Sequence, residues 1–166
     1  MQWEIVESRQ ETSDTKTLKF RPDKKISFKP GQFFLFHDLV DNLQDCRAYS
    51  ASSSPTQDAI EITVKQVPRP HFSKHLQSLH KGYTLEVEGP FGEFFLEGSP
   101  QEIVLIGAGS GVAPLKSIAQ SALEQKLPSN ITLVVSSKTR ASTIFRTKFE
   151  SWEQQGKLKF FLTLTR

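Results

Sequence analysis

Gly107-Ala-Gly-Ser-Gly-Val-Ala-Pro114 has the residue types and spacing of an anion-binding turn. It follows the apolar run Ile103–Ile106 and opens into a helical pattern, Leu115 to Gln125. A strand, a glycine turn and a helix start, in that order, can cradle a phosphate. Glycine lets the backbone come close, and the first helical N–H groups have no intrahelical partner. Proline in the first helical turn removes an N–H that would be unpaired there anyway. The spacing is G-x-G-x-G and not the full G-x-G-x-x-G of a dinucleotide fingerprint, since Ala113 stands near the third glycine's place. By itself the stretch reads equally as a dinucleotide loop and as a tight turn with no ligand.

Arg47-Ala-Tyr-Ser-Ala-Ser-Ser-Ser-Pro55 is the second such stretch. The planar fork of Arg47 can grip phosphate at two points. Tyr49 lies on the same face of an extended segment and offers a flat ring for stacking, with the small hydroxyl of Ser50 beside it. Together they suit a ligand that has both a phosphate and a flat heterocycle, as a flavin nucleotide does. A strand end running into a serine-rich loop, with Arg47 on the surface, accounts for the same residues.

The elements that must hold these stretches change character along the chain. Up to about residue 99 the pattern is of short strands: Trp3–Ser8, Thr15–Arg21, Gln32–Phe36, Ile60–Val67 and Tyr83–Glu88. Turn signals divide them at Lys29-Pro-Gly31, Ser53-Ser-Pro55, Lys81-Gly82 and Gly89-Pro90. A small antiparallel barrel or sandwich follows, interrupted by one helix, Ser73–His80, capped by Ser73. From residue 100 the order becomes strand Ile103–Ile106, helix Ala113–Gln125, strand Ile131–Ser136, helix Thr143–Gln155 and strand Leu158–Leu164. Parallel crossovers and an α/β lobe are expected there. The fold class is therefore β plus α/β, dividing at residues 1–99 and 100–166, next to Glu97-Gly-Ser-Pro100. A doubly wound nucleotide lobe normally has two such halves, and the chain supplies one, so the second lobe reads as incomplete.

Composition removes several classes. A single cysteine, Cys46, leaves no internal disulfide, and no iron–sulfur or structural zinc site built from the chain's own thiolates. Net charge is +3, and no stripe of stacking aromatics interleaves with the basic residues, which argues against nucleic acid. No apolar run approaches the ~20 residues of a membrane span. Met1-Gln-Trp-Glu-Ile5 is not a secretory signal, so a cytoplasmic location is the expectation. Thirteen Phe against two Tyr and two Trp favours packing over surface recognition. His71 and His75 are four apart, but no glutamate completes an H-E-x-x-H pattern, and Asp14, Asp38 and Asp41 read as turn residues.

Three motifs in one order carry a resemblance. Arg47-Ala-Tyr-Ser50, continuing to Ser53-Ser-Pro55, resembles the R-x-Y-S flavin motif of the ferredoxin–NADP reductase superfamily. Gly89-Pro-Phe-Gly92 resembles its G-P-x-G turn, and Gly107–Pro114 its nicotinamide-nucleotide loop. The likeness covers almost the whole chain. It implies a flavin-binding antiparallel barrel followed by a truncated Rossmann-like lobe that binds NAD(P)H. Arg47 would then contact a flavin phosphate, Tyr49 would stack on the isoalloxazine and Ser50 would sit near its N5, making Tyr49 and Ser50 the catalytic residues. Val64 and Lys65 would lie beside the ribityl and phosphate groups, and Ser73 would cradle the pyrophosphate of FAD. Gly107, Gly109, Ser110, Gly111 and Pro114 would frame the pyrophosphate of NADPH or NADH. Ser136, Lys138 and Arg140 stand where an acidic residue would mark NAD, which favours a 2′-phosphate.

The implied function is a flavoprotein oxidoreductase that passes electrons from NAD(P)H through the flavin to a protein or small-molecule acceptor. Two departures shape the expectation. Pro68-Arg-Pro-His-Phe72 replaces the usual glycines ahead of the pyrophosphate helix with a stiffer, bulkier loop, which weakens the case for FAD over FMN. The family's later cysteine–glycine–proline motif and C-terminal aromatic have no counterpart. That departure supports an alternative: a non-catalytic flavin-binding fragment or electron-relay subunit that needs a partner to complete its nucleotide lobe.

Overall fold

In the computed structural model, residues 1–67 and 72–165 are described. Period-two alternation builds the first sheet. Trp3 and Ile5 point inward from β1 (Gln2–Thr12), Leu18 and Phe20 from β2 (Thr15–Pro22), and Phe34 and Phe36 from β3 (Phe33–Val40). β4 (Leu43–Ser50) has no buried residue, whereas β5 (Ile60–Lys65) contributes Ile60, Ile62 and Val64, and β6 (Thr84–Phe91) contributes Leu85 and Val87. Burying each of these larger side chains stabilises by about 1.5–3 kcal/mol. The phenylalanine bias is spent here: Trp3 lies 4.7 Å from Phe34 and edge-on to Phe36 at 5.7 Å, and Phe20 lies 5.3 Å from Phe36.

The six strands are antiparallel in the order β4-β3-β6-β1-β2-β5. The sheet curls until Ala51, just past β4, makes an isolated bridge to Ile62 of β5. The result is barrel-like but not closed by a full ladder. Helix α1 (Phe72–Ser78) sets Phe72 and Leu76 into the same core.

The second lobe is a parallel sheet in the order β7-β8-β9, formed by Glu102–Ala108, Asn130–Ser137 and Lys159–Leu164. Helices α2 (Val112–Glu124) and α3 (Arg146–Gln154) pack on one face, over Ile103, Leu105, Leu133, Val135 and Phe160. Val104, Ile106 and Phe161 face the other way and are exposed.

Several local expectations need correction. Gly89-Pro90 is not a turn between strands; it lies inside β6, where the register with β3 shifts between Phe33 and Leu35. Gly89 takes φ +131°, and a Cβ there would sit 2.7 Å from the Phe34 ring, so the backbone can run this close only as glycine. Asp38 is no turn residue either. It lies in β3 and accepts from the Tyr83 hydroxyl at 3.0 Å, with His75 Nε2 2.6 Å away. Helix α3 starts three residues late, because Thr139 and Ser142 close a reciprocal capping box around a 3-10 turn and Phe145 adopts the left-handed region at φ 59°. Ser73 sits inside α1, not at its cap, and α1 ends at Ser78.

Candidate functional site: a cleft between the two lobes

A cleft of about 410 Å³ opens where the end of β4 faces the start of α2. Arg47, Tyr49, Ser50, Lys65 and Ser73 line one side; Ser110, Gly111, Ala113 and Pro114 line the other. The two stretches that carried the sequence argument are thus brought face to face.

Each wall follows from local structure. In β4 the i, i+2 spacing turns Arg47 and Tyr49 to one side. The Tyr49 ring packs nearly parallel to Phe72 at 6.4 Å and edge-on to Phe36 at 5.9 Å, which fixes its plane. Arg47 is exposed; its Nη1 donates to Asp45 and, at 2.6 Å, to the Cys46 carbonyl. In β5 alternation separates two expected neighbours. Lys65 lines the cleft and lies 3.3 Å from Asp14, whereas the Val64 side chain is buried in the core and Thr63 faces the cleft in its place. The Val64 carbonyl accepts from Gln77 Nε2 at 2.7 Å, and Val64 does not line the cleft. Among the described residues, the buried Ser73 hydroxyl finds no hydrogen-bond partner. An unsatisfied buried hydroxyl costs about 1–3 kcal/mol, and its place on the cleft wall gives a phosphate oxygen something to accept from.

On the facing wall the glycines divide their work. A Cβ on Gly107 would meet Leu115 Cδ1 at 2.6 Å, so this glycine serves close strand–helix packing. Gly109 has φ +52° and turns the chain, and Gly111 stands open to the cleft. The turn is a 3-10 turn, Gly109–Gly111, and the Val112 N–H already bonds the Gly109 and Ser110 carbonyls. It is therefore not among the unpaired donors expected from the sequence. Ser110, Gly111 and Pro114 line the cleft, and Gly107 and Gly109 do not.

Ser136 lies one residue before the end of β8, level with Ala108, and Lys138 is exposed just past the strand. Arg140 is not brought to the cleft. It donates to Glu150 at 2.9 Å and lines a separate hollow of about 590 Å³ between β1, α2 and the start of α3. That hollow is larger, and its guanidinium groups have carboxylate partners: Arg9 pairs with Glu11, and Arg140 and Arg146 share Glu150. Pro68–His71, in the segment that weakens the case for FAD over FMN, lies outside the described residues, as does any role for His71.

Burial pushes the Tyr49 phenol up to about 12, with Arg47 opposing and Asp45 reinforcing the shift. It is a neutral O–H at physiological pH. A raised folded-state value means the neutral form is favoured by folding. This contribution is full below the ordinary value of 10.0 and is lost as pH rises from there to about 12. An ultraviolet titration is expected to show a tyrosine step near pH 12 that Tyr49→Phe abolishes; a step that survives the substitution would refute this.

Sequence reasoning passed over Lys116, Ser117 and Glu61, which are buried where the lobes meet. Lys116 Nζ donates to the Ser52 carbonyl at 2.7 Å and to Glu61 Oε2 at 2.9 Å. Ser117 Oγ donates to the Ser53 carbonyl at 2.6 Å. A signal was present: Lys116 falls in the apolar stripe Val112–Leu115–Ala119 of an amphipathic helix. Ser52, Ser53 and Ser54, in the serine-rich stretch after β4, are also fully buried.

A barrel-like sheet joined to a parallel α/β lobe, with a cleft that offers arginine, tyrosine and serine opposite a glycine turn, defines a two-lobed nucleotide-binding protein. The oxidoreductase FAD-binding domain family matches residues 2–96, and the oxidoreductase NAD-binding domain family matches residues 105–166. The chain belongs to the oxidoreductase FAD-binding domain family, within the ferredoxin–NADP reductase superfamily. FAD and a nicotinamide nucleotide are the cofactors that these domains support.

The chain is 37% identical over 143 residues to the ferredoxin reductase component of 3-ketosteroid-9-alpha-monooxygenase from Rhodococcus rhodochrous, covering 82% of this chain and 40% of that protein. A ferredoxin reductase in carbazole 1,9a-dioxygenase superposes with TM-score 0.86 at 28% identity, covering 100% of this chain and 50% of that one. The flavohem-like FAD/NAD-binding domain of nitric oxide dioxygenase from Vibrio cholerae O1 biovar El Tor shares the fold, with TM-score 0.90 at 19% identity over 97% of this chain and 72% of that one. The chain thus spans about 40% of the length of the curated relatives it first matches. Among the described residues, no helix is long and apolar enough to cross a membrane.

Proposed function

We propose that this chain is the flavin-bearing part of an NAD(P)H-dependent reductase that delivers electrons to a protein acceptor in the cytoplasm. Residues 1–99 act as the FAD unit and residues 100–166 as the nucleotide unit. The observation that carries the reading is the buried Ser73 hydroxyl, unpartnered among the described residues, on a cleft wall that also holds Arg47, Lys65 and Tyr49. A phosphate oxygen is the acceptor that the Ser73 hydroxyl lacks, whereas Arg47 and Lys65 would exchange Asp45 and Asp14 for it.

Arg47 and Lys65 supply positive charge and Ser73 a fixed donor for the FAD phosphates. The Tyr49 ring, held by Phe72 and Phe36, would orient a flat heterocycle, and the Ser50 hydroxyl on the same wall would donate or accept one hydrogen bond. Ser110, Gly111 and Pro114 form the opposite wall. When bound, FAD supplies hydride acceptance and onward electron transfer, and the protein supplies position and field. Ser136 and Lys138 favour a nucleotide with a 2′-phosphate, whereas Arg140 is engaged by Glu150. The resemblance of the chain to reductase components of oxygenases supports a ferredoxin or oxygenase component as the acceptor.

The test is the visible spectrum of the purified protein before and after anaerobic addition of NADPH. A flavin spectrum that bleaches is expected. A colourless protein that stays colourless after incubation with FAD overturns the reading.

A further inference from the structure

The segment after β4 and the helix after the glycine turn are bonded side by side. Lys116 Nζ reaches the Ser52 carbonyl at 2.7 Å and Glu61 Oε2 at 2.9 Å, and Ser117 Oγ reaches the Ser53 carbonyl at 2.6 Å. Farther along, the Thr56 hydroxyl donates to Glu124. The Ser52–Ser53 segment is held from behind as well: Thr63 Oγ1 donates to Ser52 Oγ at 3.0 Å, and the Glu61 N–H to Ser53 Oγ at 3.0 Å. Lys116 is 4% exposed and Glu61 8%.

Stability alone does not account for this arrangement. Burial weighs against the charged lysine more than Glu61 restores, so its pKa lies below the ordinary value. A buried ion pair replaced by apolar groups of like volume is often neutral or stabilising. What a lysine gripping one carbonyl and one carboxylate does fix is distance. Ser52 is two residues past Ser50, and Lys116 is two residues past Pro114, so each end of the bond lies next to one wall of the cleft.

We propose that Lys116, with Glu61 as its counter-ion, is a positioning residue that holds the glycine turn at a set separation from Tyr49 and Ser50, making the two lobes one unit. The kinetic part rests on the reductase reading; the mechanical part does not. The protein carries its own reporters, because Trp3 is buried in the first core and Trp152 in the second.

The test compares the full chain with the double variant Lys116→Met/Glu61→Gln, which leaves no orphaned charge and keeps the folded state accessible. Each is made in Trp152→Phe and Trp3→Phe backgrounds, so that denaturant unfolding of each lobe is read separately. The parent is expected to give one midpoint from both reporters and the double variant two. In the FAD-loaded protein, reduction at saturating NADPH is expected to slow by roughly ten- to a hundredfold, the scale of an ångström of misplacement, while flavin retention and the half-saturating NADPH concentration hold within about threefold. A purely structural role would separate the midpoints without this loss of maximal rate. Coincident midpoints in the double variant, or an unchanged maximal rate, overturn the proposal. If the parent takes up no FAD, the reductase reading fails by itself and the midpoints still decide the coupling.

Discussion

Gly31→Ala is expected to be the most damaging single methyl in the molecule. Gly31 ends the turn Lys29-Pro-Gly31 with φ +105°, a region that L side chains rarely enter. An added Cβ would lie 2.0 Å from the Phe94 carbonyl oxygen and 3.3 Å from Ile118 Cδ1. The first of these is backbone and cannot swing aside, so the turn or the Phe94 segment must move. Backbone strain of this kind costs about 1–3 kcal/mol, and with the clash a loss of about 3 kcal/mol or more is expected. That is a large share of the ~5–15 kcal/mol that holds a domain together. Thermal unfolding should shift down by on the order of 10 °C for a chain of this size. Because Ile118 belongs to α2, the damage would reach the second lobe as well. A shift within a degree or two of the parent would contradict the placement of this turn.

The second large effect is on cofactor affinity. Arg47→Ala is expected to weaken FAD binding by roughly ten- to a hundredfold, the worth of about 1.5–3 kcal/mol for a charge-assisted contact. The low end is favoured by a detail of β4. Arg47 already bonds Asp45 and the Cys46 carbonyl, so a phosphate must exchange with a carboxylate and gains only the difference. Arg47→Lys should fall between the two, since it keeps the charge and loses the fork. Quenching of flavin fluorescence on titration measures all three. Equal affinities across the series would remove Arg47 from the phosphate end of the cleft.

Much of this site was legible because it rests on local rules. The Gly107–Pro114 turn is marked by the switch from an apolar strand to a helical period, and Arg47 and Tyr49 share a face simply because strands repeat every two residues. What escaped depends on pairing across the chain. β4 lacks a clean alternation in Leu43-Gln-Asp-Cys46 because it lies at the sheet edge with no buried face, so periodicity is silent there. Val64 is the exception: local alternation already sets Ile60, Ile62 and Val64 on one face, and the structure buries all three while Lys65 turns outward. Asp38 looked like a turn residue by composition, yet its partners Tyr83 and His75 lie far along the chain. Lys116 and Glu61 are 55 positions apart, and no local pattern announces that one will bury the other's charge.

β5 is buried on both sides: Ile60, Ile62 and Val64 fill the first core while Glu61 and Thr63 meet the joint. Neighbouring residues on this strand therefore answer to different masters. A substitution at an even position must suit the barrel-like interior, and one at an odd position must suit the seam with α2. The tolerance of the strand to mutation is the intersection of two sets of demands. A deep mutational scan should find Ile60–Lys65 less permissive than the other strands, and a lesion in either lobe should find suppressors here.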